Sequence, residues 1–148
     1  MTTVKRNEDE AAIRRLIGIW QQGVRDKNVE AIMRHYAADL LLFDLAPPLA
    51  HRGAEAYRES LEAWFPTFDG PIRCDMRDLT VHAADALAFA TSINRISGKK
   101  KSGEEADVWV RVTLCFRKEN GRWLVAHEHV SVPFYMDGSF KAATDLEP

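Results

Sequence analysis

The stretch Asn120-Gly121-Arg122-Trp123-Leu124-Val125-Ala126-His127-Glu128-His129-Val130-Ser131 reads as a tight turn followed by a strand. Asn and Gly both tolerate positive φ, and as a pair they favour a two-residue hairpin loop. Such a loop sets Glu119 against Arg122, Arg117 against Leu124 and Phe116 against Val125. Continued without interruption, the register sets Leu114 against His127 and Val112 against His129. Side chains alternate along a strand. One face then carries Val112, Leu114, Phe116, Trp123, Val125, His127, His129 and Ser131. The other carries Arg111, Thr113, Cys115, Arg117, Leu124, Ala126, Glu128 and Val130. The first face is the more apolar and also holds two imidazoles and a hydroxyl, which is the make-up of a small-molecule pocket wall. A one-residue bulge would exchange the two faces beyond it.

Working outward from this hairpin, everything from Pro71 onward reads as β. Strands are expected near 71–82, 85–97, 105–118 and 122–132. They break at Ala83-Ala84-Asp85 and at the loop Ser97-Gly98-Lys99-Lys100-Lys101-Ser102-Gly103. The three lysines read as a solvated hairpin tip, because no aromatic residues interleave with them as a nucleic-acid surface requires. Upstream, the chain is helical. Ile13, Leu16, Ile17, Trp20 and Val24 recur at helical spacing, in a helix expected to start near Asn7 with Glu10 three residues on. Asn28 can cap a second, short helix carrying Val29, Ile32, Met33 and Tyr36. Leu40 to Leu45 reads as a buried strand, stopped by Pro47-Pro48. After a loop through His51, Arg52 and Gly53, a third helix turns Tyr57, Leu61, Trp64 and Phe65 inward. Helices first and long strands second is an α+β layout: three N-terminal helices on one face of a strongly curved, mostly antiparallel sheet. One domain is expected over 1–148, with its core at about 8–132 and a surface tail beyond.

The totals agree with that reading. The chain has 148 residues, 46% hydrophobic and 28% charged, with a net charge of −2. That length suits one domain with a real core. The charge argues against a general nucleic-acid or anionic-membrane partner. No apolar run approaches the roughly 20 residues that cross a bilayer. Cys74 and Cys115 read as free thiols of a cytoplasmic protein. No cofactor motif is present; Gly98 and Gly103 flank lysines and form no phosphate loop.

The run Asn28-Val29-Glu30-Ala31-Ile32-Met33-Arg34-His35-Tyr36-Ala37-Ala38-Asp39 resembles the second-helix signature of the nuclear transport factor 2-like superfamily. Arg111-Val112-Thr113, Gly121-Arg122-Trp123 and His127-Glu128-His129-Val130-Ser131 resemble its SnoaL-like branch of ketosteroid isomerase homologues. The final hairpin is also similar to that of the association domain of calcium/calmodulin-dependent kinase. The resemblance spans about 8–132. It implies a cone of curved sheet and three helices, a pocket at the open end, and a homodimer. Aligned from Tyr36-Ala37, the isomerase's proton-shuttling aspartate falls on Asp44. The two acidic donors that hold an enolate oxygen in the isomerase fall on Trp20 and on Thr113 or a neighbour. The base is kept and the oxyanion hole is not, so steroid isomerisation is not what the resemblance implies here.

The candidate residues follow. Asp44 shares a strand face with Leu40, Leu42 and Ala46, surroundings that raise a carboxyl pKa and suit proton transfer; it can also simply bond nearby backbone. His127 and His129, two apart, project together, and one or both can serve as pocket acid–base groups. A metal held by the pair would need Asp44 as third ligand, and no other ligand spacing supports one. Trp20, Tyr36 and Trp64 are the aromatics expected to line the pocket with them. Trp109, Arg111 and Glu128 share the opposite sheet face, the expected contact of a homodimer. Two functions fit: a small-molecule-binding protein without chemistry, or a small isomerase-, cyclase- or dehydratase-type enzyme drawing a proton from an apolar carbonyl metabolite with Asp44 as base.

Overall fold

The computed structural model describes residues 1–148. The element order is α1 (Thr3–Asp26), α2 (Val29–Met33), β1 (Tyr36–Phe43), β2 (His51–Arg52), α3 (Ala54–Trp64), β3 (Arg73–Ala84), β4 (Leu87–Lys99), β5 (Glu105–Glu119) and β6 (Arg122–Ser131), with a 3₁₀ turn at Phe65–Thr67. The fold is α+β: N-terminal helices against one six-stranded curved sheet of order β2-β1-β6-β5-β4-β3. β3 to β6 form the expected antiparallel meander. β1 pairs with β6 in parallel, the one exception in a mostly antiparallel sheet. Its strand direction is set by the helices that deliver it, which a reading of the hairpin alone does not constrain.

Several boundaries move for identifiable reasons. α1 starts five residues earlier than expected, because the Thr2 hydroxyl, 3.1 Å from the Lys5 amide, caps it in place of Asn7. Lys27, in the left-handed region, ends α1 and bonds back to Gly23 and Val24. Asn28 caps α2 as expected, accepting from the Ala31 amide at 3.1 Å. Tyr36 opens β1 and does not close α2. The loop before α3 contains the two-residue strand β2, which pairs with Leu41 and Leu42.

The core joins Ile13 and Ile17 of α1, Leu40 and Leu42 of β1, Tyr57 and Leu61 of α3, and Phe116, Trp123 and Val125 of the final hairpin. α1 lies against β3, and α3 lies against β1. Helices therefore cover one face of the curved sheet. The concavity between them is wider than their side chains fill, and there the cavity lies.

The hairpin decides which residues face that cavity. Asn120 and Gly121 have φ of 50° and 79°, the left-handed pair a two-residue loop needs. The first rungs are those expected: Glu119 opposite Arg122, Arg117 opposite Leu124 and Phe116 opposite Val125. Then Cys115 pairs with His127, Leu114 with Glu128 and Thr113 with His129. Ala126 is the extra residue of a β-bulge, and beyond it the two faces of β6 exchange. Leu114 therefore does not lie beside His127, nor Val112 beside His129. Val112 pairs instead with Val130, and both face inward.

Candidate functional site

A cavity of about 730 Å³ opens between α1, α3, the loop after β1 and the concave sheet face. Its lining is mostly apolar: 22 of 32 residues are hydrophobic, so a ligand would lose water mainly against hydrocarbon and rings. Trp20 from α1, Tyr36 from β1, Trp64 from α3 and Asp44 after β1 all line it. His127 and His129 do not. The bulge at Ala126 turns both outward, where the Phe43 ring meets them edge-on at 4.9 and 5.4 Å. His127 Nδ1 lies 2.7 Å from the Leu41 carbonyl oxygen, a bond to the neighbouring strand and not to the cavity.

Glu128 takes their place. It is only 5% exposed and lines the cavity. Tyr36 donates its phenol proton to Glu128 Oε1 at 2.6 Å. No other protein group bonds this carboxyl. Trp20 donates its indole N–H to the Tyr57 oxygen at 3.1 Å. The rings of Tyr36 and Tyr57 lie 4.8 Å apart. A polar path thus runs from Trp20 through the two phenols to Glu128, surrounded by apolar side chains. Burial pushes the Glu128 carboxyl up to about 7, against the opposing pull of the Tyr36 bond and with some help from the Asp44 charge. Burial also raises both phenols well above their ordinary value, so they stay protonated donors.

Asp44 sits immediately past β1, on the mouth side with Pro47, Pro48 and His51. Its Oδ1 accepts from the Leu45 amide at 2.8 Å. No histidine approaches it from β6, so the expected pairing of Asp44 with an acid from His127 or His129 is not formed. Ser92 and Asn94 of β4 add a second polar spot to the wall, the hydroxyl donating to Asn94 Oδ1 at 2.8 Å. His35 also lines the cavity, and burial with the nearby Arg122 and Arg34 charges holds its imidazole below the ordinary value. No group of three or more His, Cys, Asp or Glu is placed to hold a metal ion.

The bulge also corrects the expected dimer contact. Arg111 donates to Ser131 at 3.1 Å, not to Glu128, and Glu128 lies on the opposite side of the sheet from Trp109 and Arg111. The sequence carries a signal for this. Val125 and Val130 have opposite parity, yet both are apolar enough to belong inside. Two inward residues of opposite parity on one strand require a bulge between them. Tyr57, on the inward stripe of α3, was legible as an inward residue but not as the partner of Trp20.

Comparison with known proteins agrees with this architecture. The SnoaL-like domain model matches residues 13–135, and the chain belongs to that family. A nuclear transport factor 2-like protein of unknown function from Pseudomonas putida is 37% identical over 96% of this chain and 98% of its own, with a TM-score of 0.87. A ketosteroid isomerase-like protein from Erwinia carotovora atroseptica is 20% identical over 84% of this chain and 96% of its own, TM-score 0.72. A protein of unknown function with a cystatin-like fold from Nostoc punctiforme is 20% identical over 90% and 94%, TM-score 0.70. These last two share the fold. No curated protein matches the chain.

Proposed function

We propose that the protein binds an apolar small molecule inside the cone, with Trp20, Tyr36 and Trp64 as ligand contacts and the Tyr36–Glu128 pair orienting its polar end. The observation that supports this is the cavity itself: about 730 Å³, chiefly apolar, with a buried directed hydrogen bond at its wall. Apolar area supplies affinity at about 25 cal/mol per Å². The few polar groups set orientation, since leaving one unpaired under a ligand costs roughly 1–3 kcal/mol. The test is binding of Nile red, an uncharged apolar fluorophore. It should bind one per chain with a blue-shifted emission. Ala56→Trp, which places a ring on the α3 wall, should abolish the signal while circular dichroism stays unchanged. Absence of Nile red binding, or its indifference to Ala56→Trp, would refute the reading.

A second reading, proton abstraction from an apolar carbonyl metabolite, is favoured by the presence of a cavity carboxyl that titrates near neutrality. Asp44 is the base that the family alignment offers, and Glu128 is the one the burial offers. Under this reading Glu128→Gln abolishes turnover of a cavity-bound ketone and Asp44→Asn impairs it. Loss of turnover in Asp44→Asn alone would assign the chemistry to Asp44.

We further propose a cytoplasmic homodimer joined through the convex sheet face that carries Trp109 and Arg111. Both cysteines are free. On that face Leu87 and Phe89 remain 65% and 47% exposed, a large apolar area for a monomer surface. No helix is long and apolar enough to cross a membrane. Sedimentation at micromolar concentration should give twice the 16.8 kDa chain mass. Phe89→Glu should return it to the monomer, and Trp109→Ala should weaken it. A wild-type monomer would end the idea, and a dimer insensitive to both variants would put its contact elsewhere.

A further inference from the structure

The charged groups around the cavity are all of one sign. Asp44 and Glu59 lie toward the mouth and Glu128 lies in the wall, whereas no lysine or arginine lines the cavity. Of its two imidazoles, His35 is held below its ordinary value by burial and the neighbouring arginines, and His51 leaves Nε2 buried without a hydrogen-bond partner. An anionic ligand would meet three carboxyls and no lysine or arginine, so its desolvation would be poorly compensated. Glu128 adds an independent observation. It is 95% buried by residue exposure, faces the cavity, and takes its single hydrogen bond on Oε1 from Tyr36. Oε2 is left for whatever occupies the cavity. The rings of Tyr36 and Tyr57, tilted at 50° to one another, line the same cavity, with Trp20 bonded to the second phenol. Aromatic faces attract a desolvated cation, and tryptophan and tyrosine do so most strongly.

We propose that the ligand of this cavity is a lipophilic cation, a protonated amine on an aromatic or hydrocarbon body, whose charged head sits on Glu128 Oε2 between the Tyr36, Tyr57 and Trp20 rings. This rests on the small-molecule-binding reading and not on the proton-transfer one. The two halves of the cavity then have separate tasks. The hydrophobic lining takes the body and the carboxyl with its rings takes the head. An ammonium donates where a carboxylate accepts, whereas a neutral head gains only one ordinary hydrogen bond there. A cation beside Glu128 also favours its ionised form. Binding below neutrality should therefore release a proton into solution. The titratable groups facing Glu128 are Tyr36 from β1, Tyr57 from α3, Asp44 from the loop after β1 and Cys74 from β3. The phenols and the thiol are held protonated by burial, with Cys74 pushed up to about 12, so they supply no proton, and loss of the release in Glu128→Gln is what assigns it to Glu128.

The test uses three probes of one shape: p-phenylbenzylamine, p-phenylbenzyl alcohol and p-phenylbenzoate, each displacing Nile red from the wild-type protein. The amine should bind at least ~tenfold more tightly than the alcohol, and the benzoate at least ~tenfold more weakly than the alcohol. In Glu128→Gln, which keeps shape and removes the charge, the ratio of amine to alcohol affinity should fall to within about threefold. Calorimetry near pH 6 in buffers of different ionisation enthalpy should show proton release with the amine and none with the alcohol. Alcohol binding as tightly as amine, or an amine preference that survives Glu128→Gln, would overturn the inference while leaving the binding reading intact. Failure of Nile red itself to bind would remove both.

Discussion

At about pH 8 the Glu128→Gln variant is expected to be more stable than the wild-type protein by about 3 kcal/mol, and near pH 4 no more stable at all. The cause is the buried carboxyl. In the unfolded chain a glutamate titrates at its ordinary value of 4.5, whereas in the fold burial moves Glu128 to about 7. Below 4.5 both states hold the proton, and the group is neutral in its effect on folding. Between 4.5 and 7 the unfolded state loses the proton first, so rising pH draws the equilibrium toward unfolding. Above 7 both are ionised, and the folded protein keeps a charge in an apolar wall. The interval corresponds to about 3 kcal/mol. Glutamine has the same shape, and its carbonyl oxygen can still accept the Tyr36 proton. It should therefore retain the packing and lose only the penalty. Urea unfolding of both proteins at a series of pH values gives the difference directly. It should climb across pH 4.5 to 7 and then level off. A difference that does not vary with pH would show that Glu128 is not buried as a carboxyl, and would also remove the ground for its part in the cavity. A residue retained at a cost to stability and pointing into a cavity is one whose value lies in what the cavity holds.

How far the sequence exposed this site depends on the range over which each feature is determined. Local features were readable. The Asn120-Gly121 turn, the apolar stripe of α1, the cap at Asn28 and the inward side of α3 are each set by residues within a few positions of one another, and they place Trp20, Tyr57 and Trp64 correctly. The order of helices and strands reads as α+β, and the family resemblance of the run 28–39 and of the final hairpin adds the cone. What failed was non-local. One inserted residue at Ala126 costs little locally, but it reverses every side chain beyond it. It moved His127 and His129 out of the cavity and Glu128 into it. The conflicting parity of Val125 and Val130 was the one visible trace. β1 running parallel to β6 and the two-residue β2 are equally non-local, because both depend on where the helices set the first strand down. Asp44 illustrates the limit of alignment. It lies at the cavity as the isomerase pattern implies, yet its carboxylate is bonded to its own neighbour's amide, and the strongly perturbed acid is elsewhere.

The position of the helical wall depends on a second buried acid, and its loss should be felt strongly: Asp9→Ala is expected to destabilise the protein by about 3 kcal/mol at neutral pH. Asp9 is 4% exposed on α1. Its Oδ1 accepts from the Trp123 indole at 3.1 Å and from the Lys118 ammonium at 2.8 Å, joining α1 to both strands of the final hairpin. Lys118 also lies over the Trp123 ring, 5.3 Å from its centre. Alanine would leave the indole N–H buried without an acceptor, and that orphaned donor is the larger part of the loss. Lys118 is 19% exposed and can turn to water, so its share is smaller; the Lys5 ammonium is half exposed and 3.9 Å away, so its contact is worth little. Asp9→Asn keeps an acceptor for the indole and should lose about half as much. The pH dependence separates charge from packing. Burial alone would raise the Asp9 carboxyl, but the bonds from Lys118 and Trp123 outweigh it and hold the group below its ordinary value. A carboxyl lowered in the fold stabilises above its unfolded value of 3.8 and ceases to as pH falls through the folded one. The gap between wild type and Asp9→Asn should therefore close as pH drops below about 4, while the gap to Asp9→Ala should narrow without vanishing. Equal and pH-independent losses in the two variants would mean that Asp9 acts as a space-filler only. Trp20 lies three turns further along the same helix, about 16 Å away. If Asp9 is what pins α1 to the hairpin, Asp9→Ala at a temperature where it is still folded should also weaken Nile red binding, although Asp9 touches no part of the cavity.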